Sequence, residues 1–348
     1  MAARLKVMVV DDSSVIRGFL TSFLEGLPDV EVVAAVDNGA RALQLLQESA
    51  PDIVLLDIDM PVMDGLTALP LLLEKKPNLR IIVCSAASRD AAATAARCLA
   101  LGAVDYLPKP TAKDMAAADM FRNALQERIY AQFSRQASFQ PEAHENVEDT
   151  APRIQTAPQP AAALAVCSST GGPQALLQLF QGWDTALAQP VFITQHMPAH
   201  FTRVLAENIS GVCNLPCAEA VQGETVQAGH IYIAPGDYHM TLTPEKRISL
   251  LQTPPENFCR PSADPMLRSL TAVYGAGLVV AVLTGMGRDA LAGCRAAADA
   301  GAAIIAQDEA SSTVWGMPAA VVHAGLCRAV VPLPRMAETL RKYLGDAR

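Results

Sequence analysis

Long hydrophobic runs, paired cysteines and an excess of basic residues are all missing from this 348-residue chain. No apolar run approaches the ~20 residues that a membrane-spanning helix needs. The longest, Ala276 to Leu283, is typical of a buried parallel strand. The chain starts Met1-Ala2-Ala3-Arg4 and runs directly into the strand-like Leu5–Val10, without a cleavable signal peptide. These absences predict a cytoplasmic protein with no direct membrane insertion.

The cysteines and the charge exclude further classes of protein. The eight cysteines form no Cys-x-x-Cys pair, so we expect isolated reduced thiols that mostly pack as small hydrophobic side chains. The formal net charge is −8, and a general nucleic-acid binder needs a basic face to neutralise phosphates. We therefore expect no nucleic-acid partner. The length of 348 residues predicts two domains, each with its own core.

Up to about residue 130, strand-like apolar runs alternate with amphipathic helical stretches. The strand-like runs are Leu5–Val10, Val30–Val36, Ile53–Leu56, Ile81–Cys84 and Val104–Leu107, and the helical segments include Ser14–Leu24 and Asn38–Glu48. Strand–helix repetition of this kind predicts a parallel sheet covered on both faces. Ligands of such sheets bind beyond the carboxyl ends of the strands.

Residues 131–161 differ in composition, with Gln, Pro, Ala, Glu and Thr and no sustained apolar period. This composition predicts a partly extended linker. After it, the strand-like runs resume at Ala162–Val166, Val191–Thr194, His230–Ala234, Leu278–Thr284 and Ala303–Ala306. We therefore predict an α/β protein with two doubly wound domains, residues 1–130 and 162–348.

Charged or hydroxyl-bearing side chains stand at the ends of several strands of the first half. Asp11 and Asp12 follow the first strand, Asp57 ends the third, Ser85 follows the fourth and Lys109 the fifth. In a parallel sheet these strand ends converge on one edge, where the carboxylates would repel one another without a cation. An oxygen-rich site with few protein ligands suits Mg²⁺. A phosphoryl group entering on Asp57 is chemically reasonable, since carboxylates are known phosphoryl acceptors.

Three segments resemble the signatures of response-regulator receiver domains. They are Val-Val-Asp-Asp-Ser at 9–13, Leu-Leu-Asp-Ile-Asp-Met-Pro-Val-Met-Asp-Gly at 55–65 and Leu-Pro-Lys-Pro at 107–110. The resemblance implies a flavodoxin-like fold, Asp57 as the phosphoacceptor and a histidine kinase as the phosphodonor. It implies that Asp11 and Asp12 hold Mg²⁺ with Asp57, and that Asp59 adds a backbone carbonyl.

The resemblance also implies two residues that respond to the phosphoryl group. Lys109 would contact it, with a cis peptide bond following Lys109. Ser85 would be the switch hydroxyl, although its loop can also be aligned one residue earlier, at Cys84.

A turn of small residues in the second half follows a strand-like run and opens a helix: Cys-Ser-Ser-Thr-Gly-Gly-Pro at 167–173. A hydroxyl held at such a turn is well placed to attack a carbonyl, because the helix N-terminus offers free N–H groups to a negative charge. The turn is not a Gly-x-Ser-x-Gly elbow, and no lysine follows its glycines as a phosphate loop requires. His196 ends a strand and Asp289 follows another glycine turn, which places Ser, His and Asp at one sheet edge.

The same segments look like the catalytic domain of chemotaxis protein-glutamate methylesterases over about residues 162–332. Six motifs match in the family's order: Ser-Ser-Thr-Gly-Gly, Ile-Thr-Gln-His-Met-Pro, Ile-Tyr-Ile-Ala-Pro-Gly-Asp, Arg-Pro-Ser, Leu-Thr-Gly-Met-Gly-Arg-Asp and Ala-Gln-Asp-Glu-Ala-Ser. The resemblance implies a Rossmann-like, mainly parallel sheet. It implies Ser169 as nucleophile, His196 as general base and acid, and Asp289 as the residue that orients His196.

Other positions beside the turn have weaker assignments. Ser168 replaces the family's usual alanine and is the alternative attacking hydroxyl. Thr170 and Met286 are the expected oxyanion donors through their backbone N–H groups. Cys259 stands before Arg-Pro-Ser, where some relatives have histidine, and we expect no catalytic role for it.

The two resemblances together imply a phosphorylation-activated hydrolase. It would demethylate glutamate methyl esters and deamidate glutamines on methyl-accepting chemotaxis receptors, giving sensory adaptation, with no cofactor for the ester chemistry. The unphosphorylated receiver would block the Ser169 site, so a chain starting near Ala161 should be faster than the unphosphorylated whole. Three alternatives stay open: a DNA-binding response regulator, an adaptor with an inactive hydrolase domain, and a hydrolase of small-molecule esters.

Overall fold

The structure is a computed structural model that describes residues 4–85, 94–95, 97–99, 101–109, 121–122, 124–126, 128–130, 161–181, 183 and 187–345. The chain divides into two compact units, Met1–Ala137 and Ser138–Arg348. Each unit has its own parallel sheet. No helix among the described residues is long and apolar enough to cross a membrane. The predicted linker, apart from residue 161, and the peptide bond from Lys109 to Pro110 lie outside the described residues.

The described residues of the first unit form five parallel strands. The strands are β1 (Leu5–Val10), β2 (Val30–Val36), β3 (Ile53–Asp57), β4 (Arg80–Ser85) and β5 (Asp105–Pro108), and the helices with defined bounds are α1 (Ser14–Glu25), α2 (Gly39–Ser49) and α3 (Gly65–Lys75). The sheet order is β2-β1-β3-β4-β5, so the chain reverses direction across the sheet beside β1. Ligands bind at such a reversal. All five predicted strands are confirmed, with ends within one residue.

The helices of this unit begin at side-chain caps. Ser13, Asn38 and Asp64 each accept a hydrogen bond from the amide three residues further on, which satisfies an amide that has no partner within the helix. Gly65 then lies against the end of β3, where a Cβ atom would stand 2.1 Å from the Asp57 carbonyl oxygen. Only glycine fits this approach of α3 to the sheet.

The second unit contains nine strands and six helices within the described residues. The strands are β6 (Ala163–Ser168), β7 (Val191–Gln195), β8 (Cys217–Glu219), β9 (Ile231–Ile233), β10 (His239–Leu242), β11 (Ile248–Leu251), β12 (Leu278–Val282), β13 (Ala303–Gln307) and β14 (Ala329–Val331). The helices are α4 (Gly172–Gln181), α5 (Phe201–Val212), α6 (Ala263–Tyr274), α7 (Leu291–Asp299), α8 (Met317–His323) and α9 (Leu333–Leu344).

Seven of these strands form a parallel sheet in the order β14-β13-β12-β6-β7-β9-β8. From β6 the chain moves outward to β7 and then to the edge strand β8 before it returns to β9, and on the other side it moves outward from β12 through β13 to β14. The carboxyl ends of β6 and β12 therefore form the switch point, which is where open α/β sheets bind ligands.

Separate apolar clusters cover the two faces of this sheet. Helices α6, α7 and α8 pack on one face with the β10–β11 hairpin, and α4, α5 and α9 pack on the other. The predicted doubly wound, mainly parallel architecture is confirmed. The sequence argument missed the hairpin and the strands β8 and β14. β8 and β14 are the two edge strands of the sheet, and each has only three residues. Neither is long enough to carry an apolar run that a sequence pattern would reveal.

Candidate phosphorylation and active sites

Two acids and a lysine meet at the carboxyl edge of the first sheet. Asp11 directly follows β1, Asp57 ends β3 and Lys109 follows β5. The Lys109 Nζ atom lies 2.6 Å from Asp11 Oδ2 and 2.7 Å from Asp57 Oδ2. The side chains of both acids are almost fully buried. The structure therefore brings together three residues that lie up to 98 positions apart in the sequence.

Asp12 completes a group of carboxylates that can hold a metal ion. One carboxylate oxygen each from Asp11, Asp12 and Asp57 lies within 4.8 Å of the others. Three carboxylates at this spacing, with Asp12 exposed to water, fit Mg²⁺, which binds through a few carboxylates and keeps several waters. Asp59 is exposed, and its carboxylate is not part of this group of three.

The buried charges alter the acid–base chemistry of the pocket. Burial raises the pKa of Asp57 to about 6, although the hydrogen bond and charge of Lys109 oppose the rise. For Lys109 burial acts in the opposite direction and lowers the pKa. The hydrogen bonds and ion pairs with Asp11 and Asp57 outweigh burial, so the pKa of Lys109 is raised. The ammonium group of Lys109 therefore stays charged beside the two acids.

Ser85 and Cys84 occupy different surroundings at the end of β4. Cys84 belongs to the apolar cluster of the first unit, and burial raises the pKa of its thiol to about 12. The Ser85 hydroxyl is fully buried and has no hydrogen-bond partner among the described residues. The Lys109 amide donates to the Ser85 carbonyl oxygen at 2.8 Å, which ties the two residues together. Of the two alignments, the one at Ser85 offers a free hydroxyl next to Lys109.

The two serines of the small-residue turn differ in their contacts. Ser168 ends β6, is fully buried, and donates from Oγ to Gln195 Oε1 at 2.7 Å. Ser169 retains 9% exposure, and its amide donates to the Thr284 carbonyl oxygen at 3.1 Å. Gln195 also donates to the Ser169 carbonyl oxygen at 2.9 Å. The Ser168 hydroxyl is therefore bound to Gln195, whereas Ser169 lies just beyond the end of β6, at the switch point.

His196 and Asp289 are joined directly. His196 follows β7, and its Nε2 atom lies 2.7 Å from Asp289 Oδ2. The Asp289 carboxylate, which is almost fully buried, also accepts from the Ser262 hydroxyl at 2.7 Å and the Ala263 amide at 2.6 Å. Asn257 Nδ2 donates to it at 2.9 Å. These donors fix the carboxylate, and the carboxylate fixes the imidazole.

The ion pair changes both pKa values. Burial lowers the pKa of His196, but the hydrogen bonds to Asp289 and Cys259 outweigh burial and raise it to about 10. Burial raises the pKa of Asp289, but the hydrogen bond and charge of His196, together with the hydrogen bonds from Ala263 and Ser262, lower it to about 2. Both shifts favour the charged pair over the neutral one.

Three turns bring Ser169 to the same edge. The His196 amide donates to the Ser168 carbonyl oxygen at 3.2 Å. A Cβ atom on Gly285 would lie 2.9 Å from Ser169 Cβ, so the turn before Asp289 also packs against the turn that carries Ser169. Within the described residues, however, no hydrogen bond joins the Ser169 hydroxyl to His196. Hydrogen bonds between catalytic groups are often long before substrate binds.

The backbone amides of Thr170 and Met286 are the expected oxyanion donors. Neither donates to an acceptor among the described residues, and each belongs to a turn at the switch point. Thr170 is held by its carbonyl oxygen, which accepts from the Thr284 hydroxyl at 2.9 Å. Free N–H groups at these turns are the donors that an oxyanion needs.

Cys259 is the contact that the sequence argument missed. Its Sγ atom lies 3.4 Å from His196 Nδ1, on the side of the ring opposite Asp289. Its position before Arg-Pro-Ser was visible in the sequence, but nothing in the sequence placed it against His196, 63 residues away. The prediction that Cys259 has no catalytic role stays a prediction, and the structure adds a contact between its thiol and the imidazole.

The first unit has the strand order and acidic pocket of receiver domains, and the second is an α/β unit with Ser, His and Asp at its switch point. Family models match both: residues 7–119 match the response regulator receiver domain and residues 164–340 match the CheB methylesterase. This chain belongs to the CheB methylesterase family and carries a receiver domain.

Curated relatives span nearly the whole chain. A protein-glutamate methylesterase/protein-glutamine glutaminase of Azospirillum brasilense is 45% identical, over 99% of this chain and 93% of its own. One from Paramagnetospirillum magneticum is 44% identical, over 97% of this chain and 96% of its own. The solved CheB methylesterase catalytic domain of Thermotoga maritima is 32% identical with a TM-score of 0.51, covering 53% of this chain and 99% of that one.

Proposed function

We propose that this protein is a protein-glutamate methylesterase and protein-glutamine glutaminase that is activated by phosphorylation. Residues 1–130 form the receiver, 131–161 the linker and 162–348 the catalytic domain. The observation that carries the proposal is the His196–Asp289 ion pair, 2.7 Å long, at the edge where Ser169 faces the switch point. The names of the relatives indicate the reacting groups, glutamate methyl esters and glutamine side chains of proteins, and we propose chemotaxis receptors as the proteins that carry them.

The chemistry proceeds through an acyl-enzyme. Ser169 Oγ attacks the side-chain carbonyl of a methylated glutamate while His196 takes its proton, and the C–O bond to methanol breaks as His196 returns that proton. Water then attacks the acyl group, again with His196 as base, and releases the glutamate carboxylate and Ser169. A glutamine side chain reacts in the same way and releases ammonia.

The two ring nitrogens of His196 have different partners in the proposed mechanism. Because Nε2 is engaged by Asp289 at 2.7 Å, Nδ1 is the nitrogen that exchanges a proton with Ser169. Asp289 holds the ring orientation and stabilises the imidazolium that forms. The free amides of Thr170 and Met286 stabilise the oxyanion, a contribution that typically reaches a few kcal/mol per donor.

The receiver supplies the control. Asp57 accepts the phosphoryl group from a chemotaxis histidine kinase, and Asp11, Asp12 and Asp57 with the Asp59 carbonyl would hold the Mg²⁺. The bound Mg²⁺ would neutralise charge on the phosphoryl oxygens. Lys109 contacts the same oxygens, and the Ser85 hydroxyl, which has no hydrogen-bond partner among the described residues, donates to one of them. That hydrogen bond is the local change that signals phosphorylation.

Methanol release from methylated receptors tests the proposal. Wild type should release methanol, Ser169→Ala should not, and Ser168→Ala should retain activity, because the Ser168 hydroxyl is bound to Gln195. Full activity of the Ser169→Ala variant would reject the assignment of Ser169 as the nucleophile. Absence of release by the wild type, after treatment with acetyl phosphate and Mg²⁺, would reject the activity itself.

A further inference from the structure

A second buried carboxylate lies beside Asp289 and has no part in the proposed chemistry. Asp264, in the first turn of α6, is 4% exposed. Its Oδ2 atom accepts a hydrogen bond from Asn257 Nδ2 at 2.9 Å, and the same nitrogen donates to Asp289 Oδ1 at 2.9 Å. Because an amide nitrogen carries two hydrogens, the Asn257 side chain bridges two acids whose charges repel each other.

The two acids also cap each other's helices. Within the described residues, neither α6 nor α7 has a capping hydrogen bond from the side chain that precedes it. Asp289, which stands before α7, instead accepts from the Ala263 and Asp264 amides at the start of α6, at 2.6 and 3.2 Å. Asp264 Oδ1 accepts from the Gly293 amide in the first turn of α7, at 2.7 Å. Carboxylates are favourable at helix N-termini, so these bonds hold the starts of both helices together around Asp289.

The charge of Asp264 is costly at this place. Burial raises its pKa and the charge of Asp289 raises it too, while the hydrogen bonds from Gly293 and Asn257 oppose the rise. An uncharged oxygen could cap α7 without that cost. What the carboxylate adds is a second acceptor, Oδ2, which fixes the direction of the Asn257 amide group. The Asn257 nitrogen then points at the two acids, and the amide oxygen, which would repel Asp289, is held away from them.

We propose that Asp264, acting through Asn257, is a positioning residue for the reaction. The inference rests on the proposed function, in which Asp289 orients His196. Asn257 occupies Asp289 Oδ1, and Asp289 Oδ2 lies 2.7 Å from His196 Nε2. Because a hydrogen bond on one oxygen restricts rotation of the whole carboxylate, Asp264 and Asn257 together fix the orientation of the imidazole. The negative charge of Asp264 also adds to that of Asp289 in stabilising the imidazolium.

Other titratable groups face these acids. Cys167 and Cys294 are buried thiols whose pKa values burial raises well above the usual range, so they stay uncharged. The others are the Cys259 thiol against the imidazole, Arg268 in its ion pair with Glu256, and Arg288, Arg295 and Asp299 in the cavity that Asp264 also lines. Substituting Asp264 or Asn257 leaves all these groups in place, so a change in the titration of His196 reports on the substituted residue.

Asp264→Asn keeps the shape of the side chain and removes its charge. With its oxygen on the Gly293 amide, the new amide nitrogen would face Asn257 Nδ2, so Asn257 must turn its oxygen towards Asp289. For methanol release by the phosphorylated full-length chain, kcat should fall about 10–100-fold, as for a misplaced catalytic group, and KM should stay within about 2-fold. The alkaline rise in kcat/KM should move to lower pH, because a negative charge near the imidazolium is gone.

Asn257→Gly separates orientation from charge. It tolerates the left-handed backbone at this position, where φ is 52°, and it removes the donor that the two acids share. Because both charges remain, kcat should fall by a similar factor while the alkaline rise in kcat/KM moves to higher pH. Asn257 is exposed, so this variant tests the proposal even if Asp264→Asn does not fold. Asp299→Asn, which removes an exposed carboxylate from the same cavity, is the control and should change neither quantity.

NMR titration of the protein with ¹⁵N-labelled histidine follows the pKa of His196 directly and should show the same two opposite shifts. Wild-type kcat and pH profiles in both variants, with a loss of stability alone, would make Asp264 only a helix cap and overturn the inference. A rise in KM at constant kcat would also overturn it, because the two residues would then bind substrate. Since the His196 titration needs no substrate and Ser169→Ala is assayed in parallel, failure of this positioning role is distinguishable from failure of the proposed function.

Discussion

The Cys259 thiol lies 3.4 Å from His196 Nδ1, the imidazole nitrogen that Asp289 leaves free. The thiol therefore lies at the ring nitrogen that, in the proposed mechanism, exchanges a proton with Ser169. Together with Asp289, it raises the pKa of His196 to about 10. Since a general base works in its neutral form, kcat/KM for ester hydrolysis should rise with pH above neutrality.

Replacing Cys259 should move this pH dependence. In Cys259→Ala the alkaline rise in kcat/KM should shift to lower pH, because one of the two groups that raise the pKa of His196 is gone. Cys259→Ser keeps a polar partner and should shift it less. Cys327→Ala, a half-buried thiol elsewhere in the same unit, serves as the control. Identical pH profiles for wild type and Cys259→Ala would contradict the role of the thiol.

The two adjacent serines should separate stability from activity. Ser168→Ala leaves the buried Gln195 amide oxygen without its donor and should cost about 1–3 kcal/mol in the free energy of unfolding, measured by denaturant titration. Its activity should stay within a few-fold. Ser169→Ala should fold with unchanged stability and lose about 10³-fold or more in kcat. The reverse pattern would exchange the assignments of the two hydroxyls.

Asp289→Asn should cost both orientation and charge. The amide group would direct N–H donors at groups that themselves donate to Asp289, among them the Ser262 hydroxyl and the Ala263 amide. The imidazolium would also lose its counter-charge. We expect kcat to fall about 10³–10⁴-fold. The exposed Asp299→Asn on α7 is the control, and near-normal activity of Asp289→Asn would exclude Asp289 as the residue that orients His196.

Phosphorylation and the activation that follows it should depend on Asp57 and Lys109, and not on the side chain of Asp59. Asp57→Asn should take up no phosphoryl group from labelled acetyl phosphate with Mg²⁺. Lys109→Ala should lose activation of methanol release. Asp59→Ala should behave within about 2-fold of wild type, because only its backbone carbonyl is assigned to the metal, and about 2-fold is within the ±0.5 kcal/mol of an ordinary surface change. Uptake of labelled phosphoryl groups by Asp57→Asn would show that another residue is the phosphoacceptor.

Two glycine-to-alanine variants should have opposite effects on the first unit. A Cβ at Gly65 would stand 2.1 Å from the Asp57 carbonyl oxygen, so Gly65→Ala must displace α3 or the end of β3. We expect a loss of more than about 1–3 kcal/mol in unfolding free energy and impaired phosphorylation. Gly18 lies in α1 with nothing within 4 Å of its Cβ position. Gly18→Ala should stabilise by about 0.5–1 kcal/mol, and thermal unfolding measures both.

The local pattern predicted most of the sheet. In the largely apolar strands Leu5–Val10 and Val191–Gln195 every residue except Lys6 is buried, and burial on both faces is what such a composition predicts for a parallel strand. The antiparallel hairpin β10–β11 escaped prediction, because its residues include exposed and half-buried positions beside a helix. Its short strands carry no long apolar run of their own.

The sequence by itself determined which residues stand at the strand ends, because strand length and glycine turns are local properties. It therefore placed Asp57, Ser169, His196 and Asp289 at the edges of two parallel sheets. Only the tertiary structure decided which neighbour each side chain meets: Ser168 with Gln195, and His196 with both Asp289 and Cys259. Those contacts join positions 27 to 93 residues apart, and they follow from the packing of strands and loops that no local pattern encodes.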